Sequence, residues 1–278
     1  GDHKTMLTTY IPPEATAIAE RLRGRSFAYG RDMVTPTFTA RKTGRVYVRN
    51  PPIQQDSAET RLTRLATELP VGDVIIDVDI CQAEPSVIKH LLARDMNIKD
   101  VYPSDPYQEL ATLLSRKRKD VKADFQRMTY HPNSAAAAKA IGIPKDTRLW
   151  AYVEALDAYK LHLWQVGKYN RKTGLRRFAH TLGGRKIEAL KGENMHKGKP
   201  LNWRVQGTVA EIVNAATLEI LEREKAEGWT FLLPVHDSVI VRARIEQQAD
   251  IEDVLRRALL RAGIQATTKT TIQTTTLV

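Results

Sequence analysis

A single cysteine, Cys81, among 278 residues leaves no internal disulfide framework and no cysteine-rich zinc site to consider. That scarcity makes a reducing compartment, hence a cytoplasmic location, the expectation. No activating base stands near Cys81 in sequence, so it reads as a small buried packing residue and not as a nucleophile. Any run of about 18 or more apolar residues is also missing, so no membrane span and no membrane partner are expected. Acidic side chains are in deficit: 32 Asp and Glu face 43 Lys and Arg, giving a formal charge of +11 and a pI near 9.7. Such an excess bears on partners, and the usual partner is a polyanion; a basic protein without one is the plainer alternative. The opening Gly1-Asp2-His3-Lys4-Thr5 holds no initiator and reads as an added leader, with Met6 as a natural start. At this length the chain can bury a core as one large domain or two modest ones.

What is present has clear periodicity. Apolar residues at helical spacing predict helices over 13–25, 57–69, 147–166, 202–228 and 251–262. One or two more are expected within 105–130, ended by His131-Pro132, and propensity adds 135–140. Residues 37–48 read as extended around the turn Thr43-Gly44-Arg45, and 73–80 as a strand that passes into a helix opened by Pro85. Residues 167–201 are glycine-rich and basic and read as loops with short strands. A hairpin over 230–243 turns at His236-Asp237, and the threonine-rich tail 266–278 reads as a closing strand. The order predicts an α+β fold whose antiparallel sheet carries acids on one edge.

Carboxylates inside apolar strand patterns need a cation, because an isolated buried charge costs several kcal/mol or is neutralised. Asp79 ends the run Val74-Ile75-Ile76, and Asp237 interrupts the run from Phe231 to Val241. Phosphoryl transfer to a hydroxyl requires the attacking and leaving oxygens to be neutralised together, which two carboxylate-bridged metal ions accomplish. Magnesium suits such a pair, since it accepts few protein carboxylates and fills its shell with water and phosphate. Asp77, two residues earlier on the same strand face, competes with Asp79 for this role. A second group, Arg118, Lys122, Gln126 and Tyr130, recurs every four residues and so lines one helix face. It offers two cations to a triphosphate, then a polar group, then a ring to a base; a solvated basic helix is the plain alternative. Val121, Phe125 and Met128 fall on another face and can pack it down.

Together these stretches resemble the family A, or DNA polymerase I-like, DNA polymerases. Asp79-Ile80-Cys81-Gln82-Ala83-Glu84 resembles the family's motif A, DYSQIE, through Asp79, Gln82 and Glu84, with Val87 and His90-Leu91 continuing the match. Arg118, Lys122 and Tyr130 have the spacing of motif B, and Val235-His236-Asp237 resembles motif C. Thr43-Gly44-Arg45 followed by Gln54-Gln55, Thr181-Leu182-Gly183-Gly184-Arg185-Lys186, and Asn202 with Gln206-Gly207-Thr208 resemble three further family segments in the right order.

The resemblance implies a polymerase palm with mostly helical fingers: a reduced N-terminal segment over 1–72, palm over 73–95, fingers over 96–200 and palm again over 201–278. It implies that Asp79 and Asp237 are catalytic and hold two magnesium ions, with manganese as a substitute and the Ile80 carbonyl assisting. Arg118 and Lys122 would grip the incoming triphosphate, Lys122 also donating a proton to the leaving pyrophosphate. Tyr130 would stack near the templating base, Glu84 would crowd the sugar 2′ position, and Gln82 and Gln126 complete the nucleotide site. Arg45, Gln54, Gln55, Arg185, Asn202, Gln206 and His236 would meet the DNA. The partners implied are a DNA primer-template or single-stranded template and a dNTP.

Five departures qualify this. Ser238 stands where motif C of the DNA polymerases usually carries Glu, and a serine there resembles the related single-subunit phage-type RNA polymerases. Gln126 replaces an aromatic residue facing the sugar, His131 replaces the glycine after Tyr130, and Tyr107 stands in place of a phosphate-binding His. Fewer than 45 residues precede Thr43, too few for a full thumb or a proofreading exonuclease domain, so weak, salt-sensitive DNA binding and short extension products are expected, with either an accessory protein supplying grip or long synthesis not being the task. That reduced size suggests a phage or mobile element as the source. Two other readings stay open: a primase-like or ribonucleotide-incorporating enzyme on the same scaffold, and an inactive nucleic-acid-binding relative.

Overall fold

The computed structural model describes residues 11–174 and 176–276. First come helix α1 (Pro13–Leu22), a hairpin of β1 (Phe27–Tyr29) and β2 (Asp32–Val34), and a second hairpin of β3 (Thr37–Ala40) and β4 (Val46–Arg49). A 3-10 turn (Ile53–Gln55) and helix α2 (Ala58–Leu65) lead to strand β5 (Asp73–Ile80). Helices α3 (Ala83–Met96), α4 (Pro106–Leu114), α5 (Arg118–Tyr130), α6 (Ser134–Ile141) and α7 (Arg148–Val166) follow. A hairpin of β6 (Phe178–His180) and β7 (Lys186–Glu188) precedes the long helix α8 (Lys199–Glu227). The chain closes with β8 (Thr230–Val235), β9 (Ser238–Arg244), α9 (Gln248–Ala262) and β10 (Thr268–Gln273). The predicted helices and strands are therefore present; the β1–β2 hairpin has no counterpart in the sequence reading, because three-residue strands carry too little periodicity to register. Residues 277 and 278 of the expected closing strand, and the opening leader with Met6, lie outside the described residues.

Two compact units emerge, one from the described residues up to Ala83 and from Val209 onward, the other Glu84–Thr208. In the first, four strands form an antiparallel sheet in the order β10-β5-β9-β8. Strand alternation sends Val74, Ile76, Val78 and Ile80 to one face and Ile75, Asp77 and Asp79 to the other. The first face is buried and α9 packs on β5 and β10. On the second, Ile75 and Ile240 join a core of Phe27, Tyr29, Ile53, Leu62, Leu65 and Leu233, so β1, the 3-10 turn and α2 cover the part of that face remote from the strand ends. The acids lie on the two inner strands and their turn, not on an edge strand; the open place they occupy is the end of the sheet. Strand order is fixed by pairing between distant segments, which local periodicity does not encode.

The second unit is mostly helical. Phe125, on the inner face of α5, is edge-on to Tyr107 at 5.0 Å and stacked on Tyr152 at 6.1 Å, and Val121 and Met128 are buried beside it. Arg204 is buried and joins Asp95 at 3.0 Å and the Tyr159 hydroxyl at 2.9 Å. At the end of α5 the backbone of Tyr130 comes so close to Gly198 that a Cβ there would lie 1.7 Å from the Tyr130 carbonyl oxygen. Only glycine fits that approach.

A buried lysine secures the same end. Lys160, on α7 and 1% exposed, donates to the His131 carbonyl at 2.6 Å and to the Ser134 hydroxyl, 3.3 Å from Asp157. Ser134 in turn donates to the Met128 carbonyl at 2.6 Å, and the Asp157 carboxylate accepts from the Ser134 and Ala135 N–H groups at the start of α6. Burial pushes the Lys160 amine down to about 8, against the opposing pull of Asp157. Because this lies below the ordinary 10.5, folding is penalised while the amine is protonated, below about pH 8, and the penalty lifts as pH rises toward 10.5. Stability relative to Lys160→Met should therefore grow between pH 8 and 10.5, read as the difference in Tm between wild type and variant across that range. A constant difference would exclude the linkage.

Candidate active site

Asp79 is the penultimate residue of β5 and lies directly opposite Ser238 at the start of β9, with Lys269 of β10 opposite it on the other side. Asp237 occupies the turn just before Ser238. The Ile80 N–H donates to the Asp237 carbonyl at 3.1 Å, one step beyond the last paired residues. Two carboxylates far apart in sequence thus stand at the same end of neighbouring strands, each half-buried. Asp77 shares the face but sits farther in, opposite Ile240 and Thr271. Burial raises its pKa against a Ser238 hydrogen bond and the Arg61 charge, and one of its carboxylate oxygens has no hydrogen-bond partner among the described residues.

Left-handed backbone flanks both acids: Gln82, half-buried just past β5, has φ +48° and His236 has φ +50°. That conformation costs a residue with a side chain roughly 1–2 kcal/mol. Cys81 is half-buried and not the fully packed residue expected, since it lies at the turn where β5 leaves the sheet. No cluster of three or more His, Cys, Asp or Glu is gathered among the described residues. The donor set of two carboxylates and backbone carbonyl fits magnesium completed by water and substrate phosphates; it does not fit a cage made wholly of protein ligands.

Beside the acids, a cavity of about 40 Å³ is lined by Arg45, Gln54, Asn214, Pro234 and His236. The Gln54 amide is fully engaged, accepting from the Val48 N–H at 3.1 Å and donating to the Val46 and Pro234 carbonyls at 3.0 and 2.9 Å. It locks β4 to β8 next to the turn that carries Asp237. The turn of Thr43-Gly44-Arg45 is held by Gly44 at φ +98° and by Asn214, whose amide donates to the Gly44 carbonyl at 2.8 Å. Arg45 is half-buried there, its Nε without a hydrogen-bond partner among the described residues. His236 is exposed at the turn, yet desolvation on its cavity side lowers its pKa, and the Arg45 and Arg61 charges add to this. Gln55 is exposed at the end of the 3-10 turn.

In the helical unit, Asp105 does two things: one carboxylate oxygen caps α4 through the Gln108 N–H at 3.0 Å, and the other pairs with the Arg118 guanidinium at 3.2 Å. Arg118 and Lys122 also lie over the Tyr107 ring, each charge 5.4 Å from its centroid. Tyr107 is buried, so the ring is a fixed platform under two adjacent cations. Lys122 and Gln126 are exposed along the outer face of α5.

Glu84, 8% exposed, is the hub of a separate group in that unit. It accepts from Gln126 at 3.1 Å, from the Tyr130 hydroxyl and from the Gln206 amide. Desolvation, then the Glu84 charge, raises the Tyr130 pKa well above its ordinary value, so the phenol stays a donor. Arg185 is half-buried in the β6–β7 turn, where its N–H donates to Thr181 Oγ1 at 3.1 Å, and Asn202 is half-buried in the first turns of α8.

An antiparallel sheet with an acid at the shared end of its inner strands, and a helical unit bearing a two-cation helix, define a palm and fingers of polymerase type. The chain is similar to DNA polymerase I: it is 23% identical over 243 residues to that of Borreliella burgdorferi and 24% over 257 residues to that of Caldicellulosiruptor bescii. These alignments cover 78% and 83% of this chain but 26% and 30% of those proteins, so it spans between a quarter and a third of the relatives it matches. Its fold is that of the POL domain of Pol1 from M. smegmatis, solved in complex with DNA primer-template and dNTP, at a TM-score of 0.64 and 19% identity over 87% of this chain and 47% of that one. No family model matches.

Sequence reasoning passed over Asn214, Asp105 and Lys160. Asn214 had a signal, because Asn202, Gln206 and Asn214 share a four-residue stride along α8. Asp105 had one too, as an N-cap before a proline.

Proposed function

We propose that this chain is the polymerase region of a template-directed DNA polymerase that adds deoxynucleotides to a primer 3′ hydroxyl and releases pyrophosphate. The observation that carries the reading is the placement of Asp79 and Asp237 at one end of adjacent strands, tied by the Ile80 to Asp237 backbone bond. These carboxylates would hold two divalent ions, magnesium with manganese as a substitute, assisted by the Ile80 carbonyl. Bound there, the ions would neutralise the attacking and leaving oxygens of the displacement. Arg118 would bind the triphosphate, exchanging Asp105 for a more highly charged partner, and Lys122 would protonate the departing pyrophosphate. Tyr107 keeps both cations in place without competing for phosphate, since a phenol is neutral at physiological pH.

Glu84, fixed by Gln126, Tyr130 and Gln206, would exclude a 2′ hydroxyl and favour deoxynucleotides. Arg45, His236, Gln55, Arg185 and Asn202 would contact primer-template; Gln54, its amide engaged, would position the turn they act from. Ser238 is 4% exposed and donates to the Val235 carbonyl at 2.8 Å, a turn-forming role that lends no support to a ribonucleotide-using enzyme.

Primer extension by the purified chain on a defined template, with magnesium and each dNTP or rNTP supplied singly, tests the reading. Incorporation of the complementary dNTP alone is expected; absence of metal-dependent, template-matched incorporation sinks it. In the same assay Lys122→Ala should lower kcat by about 10²-fold or more. Arg118→Ala should mainly raise the KM for dNTP, by about tenfold, as expected for a lost charge-assisted contact.

A further inference from the structure

Charge is distributed unevenly along this chain. Between Asp157 and Glu188 there is no acidic residue, yet this 30-residue stretch holds eight Lys and Arg. The remaining 248 residues carry 35 basic and 32 acidic side chains, so most of the +11 excess resides in one segment of the helical unit. Lys160 is buried beside Asp157 and Arg177 is drawn onto Trp164, its guanidinium 3.2 Å from the ring centroid. Lys168, Arg171 and Lys172 are exposed, and among the described residues none of them has an acidic partner at ion-pair distance. Tyr169, 57% exposed, stands among them.

The loop that presents them is built, not merely long. Its neck is closed where the Phe178 N–H donates to the Gly167 carbonyl at 3.1 Å, and a Cβ on Gly167 would lie 1.8 Å from the Phe178 oxygen. Within it, the Asn170 carboxamide accepts from the Lys172 and Thr173 N–H groups at 3.0 and 3.3 Å, which fixes a turn with Tyr169 and Arg171 on either side of Asn170. Unopposed cations around an exposed ring match a single strand, whose phosphates are regularly charged and whose unstacked bases offer a face to an aromatic side chain.

We propose that this loop is a binding site for single-stranded DNA, separate from the residues assigned to catalysis, with Lys168, Arg171 and Lys172 on phosphates and Tyr169 against a base. The test uses the full chain and a fluorescein-labelled oligothymidylate of about 20 nucleotides, with anisotropy read without metal or nucleotide at several salt concentrations. Reversing Lys168, Arg171 and Lys172 to Glu together should weaken binding by at least about tenfold and reduce the slope of log K against log salt by about 2. Tyr169→Ala should weaken binding by about tenfold with the slope unchanged. The control reverses three exposed cations of the other unit, Arg23, Arg31 and Arg261, to Glu, which gives the same net charge. An equal loss in the control, or unaltered binding in the loop variant, would overturn the assignment. Because binding is read without incorporation, failure here and failure of the polymerase reading are separately visible.

Discussion

Asp237→Asn and Asp79→Asn should each reduce metal-dependent incorporation by about 10³-fold or more while leaving the fold intact. Removing charge from either partner withdraws half of the carboxylate pair that would hold the proposed ions, and phosphoryl transfer depends on electrostatic stabilisation for most of its rate. The fold should survive because neither acid anchors the core: both are half-buried at a strand end, and the sheet beneath is held by Val78, Ile80, Val239 and Val241. A second readout separates lost metal binding from a disturbed site. Manganese should raise the Tm of the wild type by mass action and leave that of the double Asn variant unmoved, since a ligand stabilises only the state that binds it. Either single variant retaining near-normal incorporation would remove the metal assignment, whatever the fold.

The sequence was most legible where one local rule dominated. Strand β5 coincides with its predicted range because an apolar run is bounded by Pro70-Val71-Gly72 on one side and a helix-opening segment on the other. Helix α5 showed both its buried face, Val121, Phe125 and Met128, and its outer cationic face, since both follow from 3.6-residue geometry. Long-range placement was not legible. Asp77 and Asp79 are alike by pattern, and only the register with β9 sets Asp79 at the strand end and Asp77 opposite Ile240. Nor does pattern reveal that Lys160, one of several polar residues in α7, is buried to satisfy the carbonyl of His131 at the end of another helix. The boundaries of the two units escape local pattern because they fall within continuous helices, α3 after its first residue and α8 after Thr208, where composition does not change.

Glu84→Ala should be destabilising and should also blunt sugar discrimination, two effects with separable causes. The carboxylate is 8% exposed and accepts from the side chains of Gln126, Tyr130 and Gln206, of which Gln206 is itself buried and Tyr130 half-buried. Leaving a buried donor without its acceptor costs about 1–3 kcal/mol, so a clear fall in Tm is expected, with Gln126, exposed on α5, free to turn to water. Truncation also empties the volume that would oppose a 2′ hydroxyl, so the ratio of kcat/KM for dNTP over rNTP should drop by about tenfold or more. Glu84→Gln distinguishes steric exclusion from carboxylate chemistry. It preserves the volume, but its NH2 group faces donors that need an acceptor, so stability should fall while discrimination is largely kept if bulk alone forms the gate. Loss of discrimination in the Gln variant as severe as in Ala would place the selection in the orientation that Gln126, Tyr130 and Gln206 impose on the charge. An unchanged ratio in Glu84→Ala, measured by single-nucleotide incorporation, would leave the buried carboxylate as a structural hub of the helical unit with no part in choosing the sugar.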